Sequence, residues 1–549
     1  MIVKKMLACA VLLAAVPALT QSPDDVVGRL LDSIVERERS FLQSIQKRTP
    51  LIETYIQETR LEGSEEIPVK DHYFLGRFRL TDAVNYESFV ERTEAAPSQR
   101  GSSWLGLRSS PAKTRAFAFL PRGFVQMTVL DLGDFNRQTY NFEFVRREFL
   151  GDVRCLVFDV VPANRQHAGK FIGRIWVEDR DYAIVRFNGT YVQPQAAKGS
   201  VAEGYFHFDS WRVNAGGSEW VPAIIYIEEE GVTGKDAAST KPRFKAQTRV
   251  WDYAAEPASK VAELTSILVE KNDAVKDQDT PKDLIPIESQ RLWERQAEEN
   301  ILARLERAGL LAPPGPVDEV LNTVVNNLIV SANLGVDARC RVLLTTPLES
   351  FLVGRTIVVS RGLIDVLPDE TSLALVLASE LSQLALGHRT QTQFAFSDQA
   401  MLTDVELVNR LHFARTDEEL LKAGERTIEI MRASPYKNTS NAGLFLRALA
   451  SRSPALPRLL QANFGNPLAN AGALARLTAF TEATPPLEEQ KLEQIAALPL
   501  GSRVKLSPWN NRIELLKARP IALLSPREKM PFEVTPAVLY LTRAERAKD

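Results

Sequence analysis

Cysteine and histidine are scarce in this chain, and both shortages limit its chemistry. Three cysteines in 549 residues are too few for a disulfide-built scaffold. Five histidines leave little material for a metal site. The chain also lacks an excess of basic charge, since 67 Lys and Arg stand against 69 Asp and Glu. We therefore expect no nucleic-acid partner, because such a partner requires a basic face.

The overall composition is that of an ordinary globular protein. Hydrophobic residues make up 45% of the chain and charged residues 25%, which excludes a disordered chain and a multi-span membrane protein. A chain of 549 residues has room for several domains of ordinary size. Cys155 and Cys340 are the two cysteines outside the N-terminal segment, and their spacing leaves open whether they pair.

Residues 1–20 have the pattern of a secretory signal peptide. Lys4 and Lys5 form a basic start, residues 6–19 are apolar, and a polar segment follows. The alternative is an uncleaved anchor, but a membrane span needs about 20 apolar residues. No other apolar run of 18 residues occurs in the sequence. We expect an exported protein of the bacterial periplasm or cell envelope, with no transmembrane span after signal removal.

The rest of the chain divides into two unlike halves. Residues 24–260 begin with a helical pattern and continue as runs rich in β-branched and aromatic residues, separated by polar turns. Residues 261–285 are polar and indicate a linker. Residues 286–450 are mainly helical in pattern, and residues 451–549 are a mixed helical and loop extension. We predict an α+β protein with an N-terminal antiparallel β domain followed by a mainly helical domain.

One helical segment, residues 371–388, carries a carboxylate in apolar surroundings. The segment is apolar nearly all round, which predicts a buried helix. Glu380 lies within it, where a carboxylate is costly unless it is paired or takes part in chemistry. This anomaly marks Glu380 as the first candidate site residue.

The sequence around this helix resembles metallopeptidase family 48, the group of the HtpX, BepA and CAAX-prenyl-protease type. The resemblance covers residues 286–450 and is carried by Ile-Val-Val-Ser-Arg-Gly-Leu-Ile-Asp at 357–365, followed by Leu-Pro-Asp-Glu and Leu-Ala-Leu-Val-Leu-Ala. It implies a zincin-like (gluzincin) fold in which His-Glu-x-x-His binds zinc and supplies the general base. It also implies a strand beside the cleft that pairs with extended peptide, here Ile357, Val358, Val359 and Ser360.

The zinc motif itself is degenerate. Both histidine positions are changed, to Ser379 and Gln383, which keep the spacing of one helical turn but are not competent zinc ligands. Glu380 remains at the general-base position. The family's third ligand, a Glu on a later helix, falls on Glu418 in one register and on Leu420 in another, which we favour. We therefore expect no cofactor.

A rebuilt zinc site is the alternative. His388, His412 and Glu418 would be its ligands; otherwise His388 caps a helix end, and His412 packs or faces solvent. Without zinc, nothing lowers the pKa of an attacking water. Glu380 would then be structural, either protonated or bonded to Gln383 or to an arginine such as Arg355 or Arg415.

The β half has a weaker resemblance to LolA-type half-barrels. It consists of a leading helix, a strand beginning near Leu51, and long strands ending at 175–179 and 184–187. LolA-type domains bind lipoprotein acyl chains on an apolar concave face, which implies an acyl lipid as a partner. That requires Arg174 and Arg186 to point outward.

Together these patterns predict a catalytically inactive pseudopeptidase that binds a polypeptide or envelope protein in cell-envelope protein assembly or quality control. Two alternatives stay open. One is an active zinc metalloendopeptidase with substituted ligands. The other is a lipid or lipoprotein carrier that works through the β domain.

Overall fold

A computed structural model describes residues 23–63, 65–81, 83–90, 119–164, 167–192, 206–231, 242–254, 286–388, 394–396, 403–468, 480, 484–488, 500–516 and 532–543. The predicted signal peptide, residues 1–20, and the predicted linker, residues 261–285, lie outside these ranges. No helix within the described ranges has the length and apolar character needed to cross a membrane.

The described residues of the first half form two helices and ten strands. Its elements are α1 (Pro23–Gln46), β1 (Leu51–Glu62), β2 (Glu65–Leu80), β3 (Val84–Ser88), α2 (Pro121–Gln126), β4 (Tyr140–Leu150), β5 (Val153–Pro162), β6 (Phe171–Glu178), β7 (Ile184–Tyr191), β8 (Phe208–Gly216), β9 (Glu219–Glu229) and β10 (Phe244–Trp251).

All ten strands belong to one antiparallel sheet. Their order is β3-β2-β1-β10-β9-β8-β7-β6-β5-β4, so consecutive strands pair with each other except β3 and β4, and β1 also pairs with β10. The two ends of this order, β3 and β4, are edges, and the sheet is therefore open rather than a closed barrel. The predicted antiparallel sheet in the N-terminal half is confirmed.

The two faces of this sheet have different partners. Strand residues such as Phe187 pack on one face against Ile34 of α1 and Phe124 of α2. On the other face, the Arg186 guanidinium lies 4.3 Å from the ring centre of Trp176 and 4.4 Å from that of Trp211. Because successive side chains of a strand point to opposite faces of the sheet, Arg186 points away from the apolar face.

Arg174 follows the same rule. It lies next to Ile175, which is buried on the apolar face, so it points to the opposite side, where it pairs with Asp159 at 2.7 Å. The orientation that acyl binding requires of both arginines is present.

The second half is mainly helical around a small sheet. Its elements are α3 (Pro286–Arg307), α4 (Pro316–Ser331), β11 (Arg339–Leu343), β12 (Glu349–Val353), β13 (Thr356–Ser360), α5 (Arg361–Val366), α6 (Glu370–Ala385), α7 (Asp404–Arg410), α8 (Asp417–Ala433), α9 (Ser440–Arg452), α10 (Pro457–Leu460), β14 (Asn466–Pro467), β15 (Val504–Leu506) and β16 (Ile513–Leu515).

The small sheet corrects one prediction about peptide binding. Its order is β11-β13-β12-β14, which places β13 between β11 and β12. Ile357, Val358, Val359 and Ser360 therefore already pair on both sides and are buried, and an incoming peptide has no edge to pair with there. At one end of this sheet the edge strand is β14, and β12 is its neighbour.

The two halves share two sets of polar contacts in addition to a common apolar core. Glu53 of β1 is buried and accepts 2.6 Å hydrogen bonds from the backbone N–H and the hydroxyl of Thr346. Asp71 of β2 accepts from the backbone N–H groups of Arg458 and Leu459 at 2.9 and 2.8 Å. Burial raises the pKa of both carboxyls. These bonds fix the β domain against the helical domain.

The two cysteines do not pair. Both are free and buried. Cys155 belongs to the apolar cluster on the face of the large sheet that carries Trp176 and Trp211. Cys340 belongs to the core of the helical half. Burial raises the pKa of each thiol to about 12, so neither is a reactive thiolate near neutral pH.

Candidate functional site

The site is built on α6, whose ends are set by the sequence. Asp369 caps its start by accepting a 2.8 Å hydrogen bond from the Ser372 N–H. Gly387 follows its end with a φ of +71°, a conformation that favours glycine. Most of the helix is buried, as predicted. Glu380, however, is only half-buried, because its side of the helix faces a pocket.

This pocket is small, with a cavity volume of about 60 Å³, and it brings together the residues at the degenerate zinc positions. Five elements and the loop before α8 supply its walls. They are α6 with Ser379, Glu380 and Gln383, α8 with Leu420 and Gly424, β12 with Ser350 and Phe351, and in addition α9 and β14.

The Glu380 carboxylate has a partner that sequence reasoning missed. The Ser350 hydroxyl donates to its Oε1 at 2.7 Å. Of the two arginines considered, Arg415 lines the same pocket, whereas Arg355 pairs with Asp337 at 3.4 Å and lines a different pocket. Ser350 lies 30 residues from Glu380 in the chain, and no local signal links them.

Gln383 and His388 form a second polar contact at the end of α6. The His388 Nδ1 and Gln383 Oε1 atoms lie 2.5 Å apart, and the His388 backbone N–H donates to the Gln383 carbonyl at 3.2 Å. His388 thus closes the helix end. It also lines a second pocket, formed with Trp293 and Glu298 of α3 and with Leu384, so the Gln383–His388 contact joins the two pockets.

The residues proposed for a rebuilt zinc site do not meet. His412 is exposed. Glu418 is also exposed and pairs with Lys422 at 2.9 Å, a hydrogen bond that lowers the pKa of Glu418. Within the described ranges, no three or more His, Cys, Asp or Glu side chains are grouped so that they could hold a metal ion.

The pocket residues do not fit zinc either. The three positions that carry zinc ligands in the resembling family present a hydroxyl at Ser379, an amide at Gln383 and a hydrocarbon at Leu420. Zinc in proteins is held by thiolate, imidazole and carboxylate groups. Leu420 lines the pocket with Gly424, whereas Glu418 lies outside it.

Comparisons with known proteins concern the first half of the chain. A scan against protein-family models and a search of curated proteins find no match. Similar solved structures include a DUF1329 family protein from Desulfovibrio piger, at 11% identity and a TM-score of 0.22, with 42% of this chain and 98% of that chain covered. A LolA superfamily protein from Nitrosomonas europaea has 11% identity and a TM-score of 0.21, with 41% and 96% covered.

The Pseudomonas aeruginosa MucA/MucB complex is also similar, at 8% identity and a TM-score of 0.13, with 40% and 93% covered. The DUF1329 and LolA superfamily matches cover the N-terminal part of this chain, which is the part that resembles LolA-type domains in sequence. TM-scores this low carry no information on function. The resemblance of residues 286–450 to metallopeptidase family 48 remains a prediction.

Proposed function

We propose that this chain is an exported, non-catalytic binding protein that holds a segment of polypeptide in the pocket at Glu380. One observation carries the proposal. Ser379, Gln383 and Leu420, at the three degenerate ligand positions, line a single pocket from two different helices, yet none of them offers a metal ligand. A cleft of this kind can bind a chain, but it has no means of activating water for hydrolysis.

The chemistry of the pocket walls suits polypeptide. Phe351, Leu375, Phe413 and Phe445 supply apolar surface on one part of the wall. Hydroxyl, amide and charged groups lie among them, including Ser350, Gln383, Arg415 and Asn466. Mixed surfaces with a few directed polar groups bind ligands that have both apolar side chains and backbone amides.

A binding measurement tests the proposal. The probe is fluorescently labelled, reduced and carboxymethylated α-lactalbumin, which stays unfolded, and the readout is fluorescence anisotropy. Ser379→Phe fills the pocket and is expected to weaken binding at least tenfold. Glu418→Phe introduces the same side chain at an exposed position on α8 outside the pocket and is the matched control.

Two results would contradict the proposal. If both variants bind like the unaltered protein, the pocket is not the binding site. If the unaltered protein cleaves the probe when zinc is added, the active-peptidase alternative is correct. The assay therefore includes a zinc-supplemented arm, analysed by gel electrophoresis for fragments.

Carriage of lipid or lipoprotein through the β domain is a second candidate function. It is favoured by the continuous apolar face of the large sheet, which α1 and α2 cover, and by the outward direction of Arg174 and Arg186. Acyl lipid would then co-purify with the protein in about stoichiometric amount, as detected by mass spectrometry of an organic extract. Ser379→Phe, in the other half, should retain it. Absence of acyl lipid from the unaltered protein would remove this candidate.

A further inference from the structure

A short segment of the chain's own backbone lies along the outer edge of β12, next to the pocket. We call residues 463–467 the strap. Its last two residues form β14, in which Asn466 pairs antiparallel with Ser350 and Pro467 with Glu349. Asn466, Pro467 and the following Leu468 also line the pocket that holds Glu380.

A buried carboxylate anchors the start of the strap. Glu349 at the beginning of β12 is 0% exposed. Its Oε2 atom accepts hydrogen bonds from three successive backbone N–H groups, those of Asn463, Phe464 and Gly465, at 3.0, 2.9 and 3.3 Å. Three backbone N–H groups thus converge on one carboxyl oxygen, and this contact holds the strap against the sheet edge.

The opposite side of the strap is bonded to the loop before α8. The Asn466 side chain accepts from the Arg415 backbone N–H at 2.6 Å and donates to the Arg415 carbonyl at 3.1 Å. The Phe464 carbonyl accepts from the Phe413 N–H at 2.7 Å. The strap therefore bridges β12 and this loop across the pocket.

The strap also approaches β12 so closely that glycine is required at one position. A Cβ atom on Gly465 would lie 2.7 Å from the Ser350 carbonyl oxygen and 2.9 Å from the Phe351 Cβ. A larger residue there would push the strap away from the strand. A substitution at Gly465 thus gives a way to loosen the strap without altering the Glu349 side chain.

We infer that the strap is a self-occluding segment that competes with a polypeptide partner for the edge of β12. The inference rests on the proposed function and adds a means of regulation to it. A peptide that joins a sheet edge needs the backbone N–H and C=O groups of that edge, and β14 already pairs with Glu349 and Ser350. Displacing the strap costs free energy, which reduces the apparent affinity for polypeptide.

The test compares three strap variants in the full chain, with the same labelled α-lactalbumin probe. Glu349→Gln replaces the anchoring carboxyl group by an amide, Gly465→Ala opposes close approach, and Asn466→Ala removes the paired amide bonds. Each is expected to bind the probe at least fivefold more tightly than the unaltered protein. Hydrogen–deuterium exchange at residues 463–465 should also be faster in Glu349→Gln. Glu418→Gln, at an exposed carboxylate, is the control.

The possible results distinguish a failure of the self-occlusion inference from a failure of the proposed polypeptide-binding function. If the unaltered protein binds the probe and strap exchange accelerates with affinity unchanged, the self-occlusion inference is wrong and the binding function stands. If neither the unaltered protein nor any strap variant binds the probe, the proposed function itself fails. Circular dichroism shows whether the buried Glu349→Gln change has unfolded the protein, and Asn466→Ala, at a half-buried position, provides an independent reading.

Discussion

Ser350 on β12 donates a 2.7 Å hydrogen bond to Glu380 on α6, across the pocket where the resembling peptidases would place a metal ion. A hydroxyl is thus bonded to the carboxylate that the family uses as a general base. This hydrogen bond orients Glu380 within the pocket, as suits the binding role that we propose.

Restoring the lost ligands should restore zinc binding. In the triple variant Ser379→His, Gln383→His and Leu420→Glu, two imidazoles stand one helical turn apart on α6, and a carboxylate faces them from α8. All three positions line the same pocket, and this donor set suits a tetrahedral zinc site with one open position. Elemental analysis after dialysis should find about one zinc per chain.

The single variant Ser379→His is the control for this prediction, because one imidazole does not make a site. It should retain little zinc, as should the unaltered protein. A folded triple variant without zinc would mean that the pocket does not have the geometry that the family resemblance implies.

The ion pair that fastens α1 to the large sheet should contribute strongly to stability. Glu38 and Arg212 are joined by two 2.7 Å hydrogen bonds, and both side chains are 1% exposed. Glu38→Gln leaves the arginine buried without its counter-charge, which typically costs about 3–5 kcal/mol. Urea denaturation followed by circular dichroism measures this loss.

Glu36 provides the matched control on the same helix. It pairs with Arg39, but their side chains are 65% and 57% exposed, and exposed pairs contribute about 0–1 kcal/mol. Glu36→Gln should therefore leave the denaturation midpoint nearly unchanged. If the two variants lose equal stability, burial of the Glu38–Arg212 pair does not set its strength.

Local pattern was sufficient to predict the helix α6 that carries Glu380, and insufficient to predict the strands β12 and β14 that also line the pocket. The anomaly of a carboxylate in an apolar helix led to Glu380, and the choice of register led to Leu420, which lines the same pocket. Ser350 and Asn466 carry no such signal, because each joins the pocket through strand pairing between distant segments. Side-chain type alone does not reveal such pairing.

The prediction of the peptide-binding strand shows the same limit. Residues 357–360 are apolar and β-branched, which predicts a strand but not its place in the sheet. A fully buried apolar strand is typical of the middle of a sheet, and β13 lies there, paired on both sides. The edge strands of the described sheet are β11 and β14, and β14 is only two residues long, so it leaves almost no pattern in the sequence.

Asp318 should make stability depend on pH in a direction opposite to that of most carboxylates. It caps α4 by accepting a 2.9 Å hydrogen bond from the Gly315 N–H, and burial raises its pKa from 3.8 to about 6. Between these two pKa values the native state binds more protons than the unfolded state, so the free energy of unfolding rises as pH falls. A shift of this size corresponds to about 2–3 kcal/mol.

The measurement compares the unaltered protein with Asp318→Asn by urea denaturation from pH 7 to pH 4, since other titrating groups cancel in the difference. The unaltered protein should gain about 2–3 kcal/mol relative to the variant over this range. Asp337→Asn, at a side chain that is 87% exposed, should show no such trend. A difference that stays constant with pH would mean that Asp318 titrates at its ordinary value and that burial does not control its charge.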